Sequence, residues 1–382
     1  MTTNPDLQNL PEEAFAAALA SVPQVGPANL RRLLAADLPS VAWSRSSFSG
    51  DVARTWQRHE EKGIEVCWRG GPGYPARLKS DPEAPAVLFC AGDPATADRH
   101  PTVAIVGTRS PTRYGIGVAA QFGADLAAAG VSVVSGLALG IDGAAHEGAT
   151  AAAGAPCVGA PPIAVVAGGL DDPYPRRHAR LWSRVVEQGA IYSESPAGVR
   201  TEKWRFPVRN RLLAMLSDVV VVVESRHRGG ALYTVAAAAE RGIPVGAVPG
   251  SIRSSSSEGT NGLLADGCFP VCSVADILTA LSLSGAPPPP PPSSGITPGP
   301  HGGGGAGADL ERAIRTGTRS GTSANSYVGP DRALLDELSS DPVSLDHLLR
   351  MTGLDLAALC GGLERLARLG VARDIGGWWE RT

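Results

Sequence analysis

The run Val219 to Val223, all β-branched with no polar interruption, constrains the fold of this chain more than any other segment. Such a run fits a strand buried on both faces, as in a parallel sheet. The surrounding stretch, Phe206 to Gly250, places Arg209, Asn210 and Arg211 just before a short apolar helix. After the valines come a Gly229-Gly230 turn, a second helix and a short strand closed by Pro249-Gly250. Glycines at a strand end let backbone approach a ligand, and the helix start behind them offers free N–H groups to an anion. Arginines beside such a turn point to a phosphate, belonging either to a nucleotide cofactor or to a nucleic-acid strand.

The same alternation extends over about 76–282. Strands are expected at 103–107, 131–136, 163–169, 190–194, 218–224 and 243–250, most of them separated by alanine-rich helices. That order predicts a Rossmann-like α/β fold with a doubly wound, mostly parallel sheet and ligands at the carboxyl ends of its strands. At the first strand end, Gly107-Thr108-Arg109-Ser110 precedes Tyr114-Gly115 by too long a loop for a dinucleotide fingerprint. Nicotinamide cofactors are therefore disfavoured, no cofactor is expected, and Arg109 is placed to meet a phosphate. The second strand ends in Ser135-Gly136, offering a hydroxyl and an N–H at the sheet rim. Asp142 and His146, four apart, share a helix face and could form a general-base pair, although fixing a helix to the sheet is the commoner use of such a pair. Glu194 and Glu224 are isolated carboxylates at strand ends, which is weak support for hydrolysis.

The chain has 382 residues, 43% of them hydrophobic, a net charge of −3 and a pI near 6.2, so any basic character is local rather than global. Its six cysteines include no C-x-x-C pair, and neither a disulfide framework nor a metal site is expected. The N-terminal sequence lacks a basic-then-apolar signal, and no apolar stretch is long enough to span a bilayer, so a soluble, cytoplasmic protein without membrane association is expected. Four regions are expected. Residues 1–75 read as a helical domain of the SAM or helix-hairpin-helix kind, broken at Pro23–Pro27, and 76–283 as the Rossmann-like domain. Residues 284–327 read as a disordered Pro/Gly/Ser-rich linker, and 328–382 as a winged-helix-like module with starts at Ser344 and Asp355. A helix-hairpin-helix can hold a DNA phosphate, but a plain helical bundle is the favoured reading here. The third helix of the last module carries only Arg365 and Arg368 as cations, so protein contact there weighs as much as duplex binding.

Eight motifs occur in order: VAIVGTR, SGLALGID-x-x-AH, GGLD-x-x-YP, SE-x-P, FP-x-RNR, GGALYT, VPG and EGTNGLL. In this order they closely resemble the DNA-processing protein A family (DprA, also called Smf), over nearly all of 76–282. The resemblance implies single-stranded DNA binding, homodimer formation and loading of the recombinase RecA in natural transformation, without an established catalytic activity. Carried over motif by motif, it implies a DNA site of Arg109, Ser135, Gly136, Gly168, Gly169, Arg209, Asn210, Arg211, Gly230, Thr234 and Asn261. Two departures stand out: Gly229 replaces a usual serine, and 154–162 looks lengthened. The site also reads as poor in aromatic residues, leaving stacking to arginine planes or Tyr233. The alternative is a nucleotide phosphoribohydrolase of the lysine-decarboxylase-like group, whose P-G-G-x-G-T-x-x-E signature has a glutamate that Arg228 to Ala236 lacks.

Overall fold

The computed structural model describes residues 9–23, 25–152, 159–288, 334–335, 338, 343–375 and 378–381. The chain divides into two compact units, Met1–Ser293 and Ser294–Thr382. Residues 289–327 of the expected linker, and 153–158 of the lengthened stretch, lie outside the described residues.

The first unit is organised on a nine-stranded sheet of order β1-β2-β6-β5-β4-β3-β7-β8-β9. Its parallel part comprises β3 (Thr102–Val106), β4 (Ser132–Ser135), β5 (Ile163–Val165), β6 (Ala190–Ser193), β7 (Val219–Val222), β8 (Val245–Ala247) and β9 (Phe269–Pro270). All six strands expected from sequence are present. The valine run alternates between two cores. Val219, Val221 and Val223 join one face and Val220 and Val222 the other, as a strand's period of two requires. The first of these faces is covered by α5 (Arg113–Ala128), α6 (Ile141–Ala152) and α11 (Val274–Leu283), and the second by α8 (Arg205–Met215) and α9 (Leu232–Ala239). From β3 the chain winds outward through β4, β5 and β6, then restarts on the other side with β7, β8 and β9. The topological switch point therefore lies between β3 and β7, where a ligand crevice is expected in such sheets.

Four helices precede the sheet: α1 (Glu12–Ser21), α2 (Pro27–Ala36), α3 (Pro39–Arg45) and α4 (Val52–Glu61). The helical reading of the first 70 residues fails at one place. Glu65–Trp68 is a strand, β1, because its side chains alternate between exposed and buried, and it pairs antiparallel with β2 (Val87–Gly92). Side chains from α1 and α2 share a core with β1, β2 and α7 (Ala179–Gln188). His59 of α4 is fully buried and reinforces this contact. The Ala197 amide donates to its Nε2 at 3.1 Å, so Nδ1 carries the proton and donates to the Thr55 carbonyl at 2.7 Å. The ring stacks on Phe89 at 5.1 Å, and burial lowers its pKa.

In the second unit, β10 (Val343–Ser344), β11 (Ala372–Ile375) and β12 (Trp378–Arg381) form an antiparallel sheet of order β10-β12-β11. With α12 (Leu345–Thr352) and α13 (Leu356–Arg368) they make a winged helix around Leu348, Leu359, Leu363 and Leu366. Both helices begin where expected, and the Asp355 carboxylate caps α13 by accepting the Ala358 amide at 2.7 Å.

Candidate nucleic-acid interface

At the switch point the loops after β3 and β7 and the first turns of α8 and α9 enclose a groove of about 480 Å³. Arg109, Lys203, Arg226 and Arg228 line it, all exposed and none ion-paired with a described residue. The Arg109 guanidinium lies 4.0 Å over the Phe206 ring, which holds it flat at the mouth. Beyond Phe206 a smaller niche of about 80 Å³ is lined by Tyr174, Trp182, Gly168 and Gly169. Phe206 and Tyr174 face each other at 6.3 Å. The expectation of an aromatic-poor site is thus corrected: Phe206, Tyr174 and the exposed Tyr233 gather from three separate segments.

The three residues of the Arg209-Asn210-Arg211 motif lie inside α8 and not before a helix as expected, and they separate because successive helical side chains diverge by about 100°. Arg209 reaches the groove floor but is only 4% exposed, and its guanidinium donates to the Val165 carbonyl. Burial pulls its pKa down and Asp142 pulls it back up. Gly136 stands so close to these two side chains that a Cβ would strike both, which is why a glycine follows β4. Asn210 donates to the Gly230 carbonyl at 3.0 Å, tying α8 to the turn before α9. Arg211 leaves the groove and forms a two-bond ion pair with Glu194 at 2.6 and 2.8 Å.

Two more expected site residues are committed elsewhere. The Ser135 hydroxyl is buried and donates to the Ile105 carbonyl at 2.6 Å, bridging β4 to β3 instead of facing a ligand. The Asn261 amide closes on both backbone groups of Gly250, at 3.2 and 3.1 Å, and lies outside the groove lining. Gly230 and Thr234 do line the groove. The structure therefore brings together Arg109, Arg209, Asn210, Gly230 and Thr234 in the groove, with Gly136, Gly168 and Gly169 in the adjoining niche. It sets Ser135, Arg211 and Asn261 apart. Lys203, Arg226 and Arg228 were missed by sequence reasoning; arginines flanking a glycine turn after a buried strand were the available signal for the last two.

The carboxylates do not assemble a hydrolytic site. Glu224 accepts the Thr112 amide and hydroxyl at 2.9 and 2.5 Å, anchoring the start of α5, while Glu194 holds Arg211. Asp142 and His146 are both buried: burial raises the Asp142 pKa against Arg209 and Arg109, and pushes the His146 imidazole down to about 4. Among the described residues no cluster of metal-ligating side chains occurs, and no helix is long and apolar enough to cross a membrane. Pro23, Val25, Gly26 and Pro27 line a cleft of about 410 Å³ together with Glu194, Glu202 and Arg205, and both carboxylates there face arginine partners, Arg211 and Arg205.

These features define a Rossmann-like α/β protein with an electropositive crevice at its switch point and a winged helix in its second unit. Residues 65–282 match the family model described as DNA recombination-mediator protein A, and 322–366 match the DprA winged helix domain. The chain belongs to the DNA recombination-mediator protein A family. It is 36% identical over 234 residues to the DNA processing protein DprA of Bacillus subtilis, spanning 61% of this chain and 77% of that one. The X-ray structure of DNA processing protein A from Streptococcus pneumoniae superposes with a TM-score of 0.56 at 28% identity, covering 70% of this chain and 96% of that one. A Helicobacter pylori DNA processing protein A structure, described for its single-stranded DNA binding mode, gives 0.51 at 28% identity, covering 58% and 96%.

Proposed function

We propose that this chain is a single-stranded DNA-binding protein whose switch-point groove holds the phosphate backbone of a strand. The observation that carries this reading is the convergence of Arg109, Lys203, Arg226 and Arg228, four cations without carboxylate partners among the described residues, on one groove beside Phe206 and Tyr233. Unpaired arginines and lysines release counterions on meeting phosphates, and aromatic faces accept bases of any sequence. In this reading Arg109 and Gly230 contact the strand directly, Arg209, Asn210 and Thr234 shape the floor, and Gly136, Gly168 and Gly169 line the adjoining niche.

The cellular role that fits is protection of incoming single strands and loading of RecA on them during transformation or recombination, by a cytoplasmic homodimer and without catalysis. The H. pylori relative's single-strand binding mode supports the ligand class. The phosphoribohydrolase alternative is disfavoured, because Arg228 to Ala236 contains no glutamate and the nearest, Glu240, lies beyond the far end of α9. The deciding experiment titrates the full chain with oligothymidylate, duplex DNA and AMP while monitoring release of free base. Preference for the single strand without base release is expected; base release from AMP would reverse the assignment.

A further inference from the structure

The floor of the switch-point groove holds buried donors without partners among the described residues. Thr234 is fully buried, and its hydroxyl has no partner among the described residues. Arg209 is nearly so, and its Nε has none either. Buried polar groups are nearly always satisfied, so two orphans on one groove floor mark a place where a ligand completes the bonding. The amides of Gly230 and Ala231, at the start of the eight-residue helix α9, also have no partner among the described residues. Asn210 holds the Gly230 carbonyl, and in a trans peptide the following N–H points the opposite way. Asn210 thus acts as a positioning residue for the Ala231 amide.

The polar groups of the groove divide by depth. Arg109, Lys203, Arg226 and Arg228 are exposed, whereas Arg209, Thr234 and the Asp142 carboxylate beside Arg209 are buried. A phosphodiester has chain leaving on both sides and runs along the rim, within reach of the exposed set. A monoester has one substituent, so it can enter end-on and present three terminal oxygens to the floor. It also carries more negative charge than a diester near neutral pH. Gly230 leaves the entry clear, since nothing lies within 4 Å of where its Cβ would stand.

We propose that the groove floor formed by Arg209, Thr234 and the Gly230–Ala231 turn is a socket for a phosphate monoester. The sources of that chemistry are the phosphorylated end of a DNA strand and a free nucleoside monophosphate. The inference rests on the single-strand reading above for its first source only.

The test uses the full chain and three internally labelled oligothymidylates of equal length: one with a 5′-phosphate, one with a 3′-phosphate and one with hydroxyls at both ends. Calorimetric titrations with dTMP and with thymidine run in parallel. One added set of charge-assisted bonds gives an end-phosphorylated strand about a tenfold preference over the hydroxyl-ended strand. Thr234→Val keeps the side-chain shape, removes the orphaned hydroxyl and should bring that ratio toward one. A preference for a phosphorylated end identifies the strand terminus as the source, and saturable binding of dTMP but not thymidine identifies the free nucleotide. If the three strands bind equally and dTMP does not bind, the socket is refuted while the backbone reading survives. If no strand binds, the backbone reading fails on its own.

Discussion

Arg211 and Glu194 form a two-bond ion pair at 2.6 and 2.8 Å, with side chains only 12% and 14% exposed, so this arginine of the motif supports the fold beside the groove instead of lining it. Removing one partner of so enclosed a pair leaves the other charge stranded, at a cost of about 3 kcal/mol. Arg211→Ala should therefore lower the thermal midpoint while the salt slope of single-strand binding stays at its wild-type value. A flattened slope in a folded Arg211→Ala protein would return this residue to the DNA surface.

The rim cations should behave in the opposite way. Arg226→Ala and Arg228→Ala remove exposed, unpaired charges, so the thermal midpoint should hold. Each lost phosphate contact should flatten the dependence of log K on log salt by about 0.7 for a single strand. Anisotropy titrations at several salt concentrations read this directly, and parallel curves would remove these residues from the interface.

Phe206 supports Arg109 from below, at 4.0 Å. Phe206→Leu takes away both the platform for the guanidinium and an aromatic face for a base. Stacking contacts of this kind amount to roughly 1–3 kcal/mol, so affinity for oligothymidylate should fall about tenfold. Circular dichroism checks that the fold is retained, and unchanged affinity would show that the aromatic corner is not part of the binding surface.

His146 makes stability depend on pH. Its folded pKa of about 4 lies below the ordinary value near 6.5, so the unfolded chain binds more protons between those limits. Stability from this residue is complete above pH ~6.5 and is lost as pH falls toward ~4, by about 3 kcal/mol in total. Urea unfolding of the wild type and of His146→Gln at intervals across that window should show a shallower pH slope in the variant. Equal slopes would mean that another group carries the acid sensitivity.

The sheet was legible in the sequence because burial on both faces leaves a chemical trace: valine runs ending in glycine, serine or acid. Three of its nine strands, β1, β2 and β9, were not among those expected; Glu65–Trp68 reads too short and mixed to separate from the helix before it, and β9 is only two residues long. The site was legible as a place more than as a set of side chains. Consecutive letters in Arg209-Asn210-Arg211 conceal a helix that sends its members to the floor, to Gly230 and to Glu194. Ser135 and Asn261 look like ligand donors in a linear text, yet each satisfies a backbone group that only the fold brings near. Lys203, Arg226 and Arg228 sit on loops whose direction is set by β7 and α8, and direction is what a sequence does not state.

The antiparallel addition of β1 to β2 carries a practical consequence for anyone dissecting this protein. A cut placed at residue 75, where helix-rich sequence gives way, would strip β1 and leave Val87–Gly92, an almost wholly apolar strand, as the open border of the sheet. Unprotected borders of that kind recruit other chains. The shortened protein should precipitate or self-associate, and its poor behaviour would be mistaken for a role of the four helices in solubility when the missing piece is one ribbon of main chain.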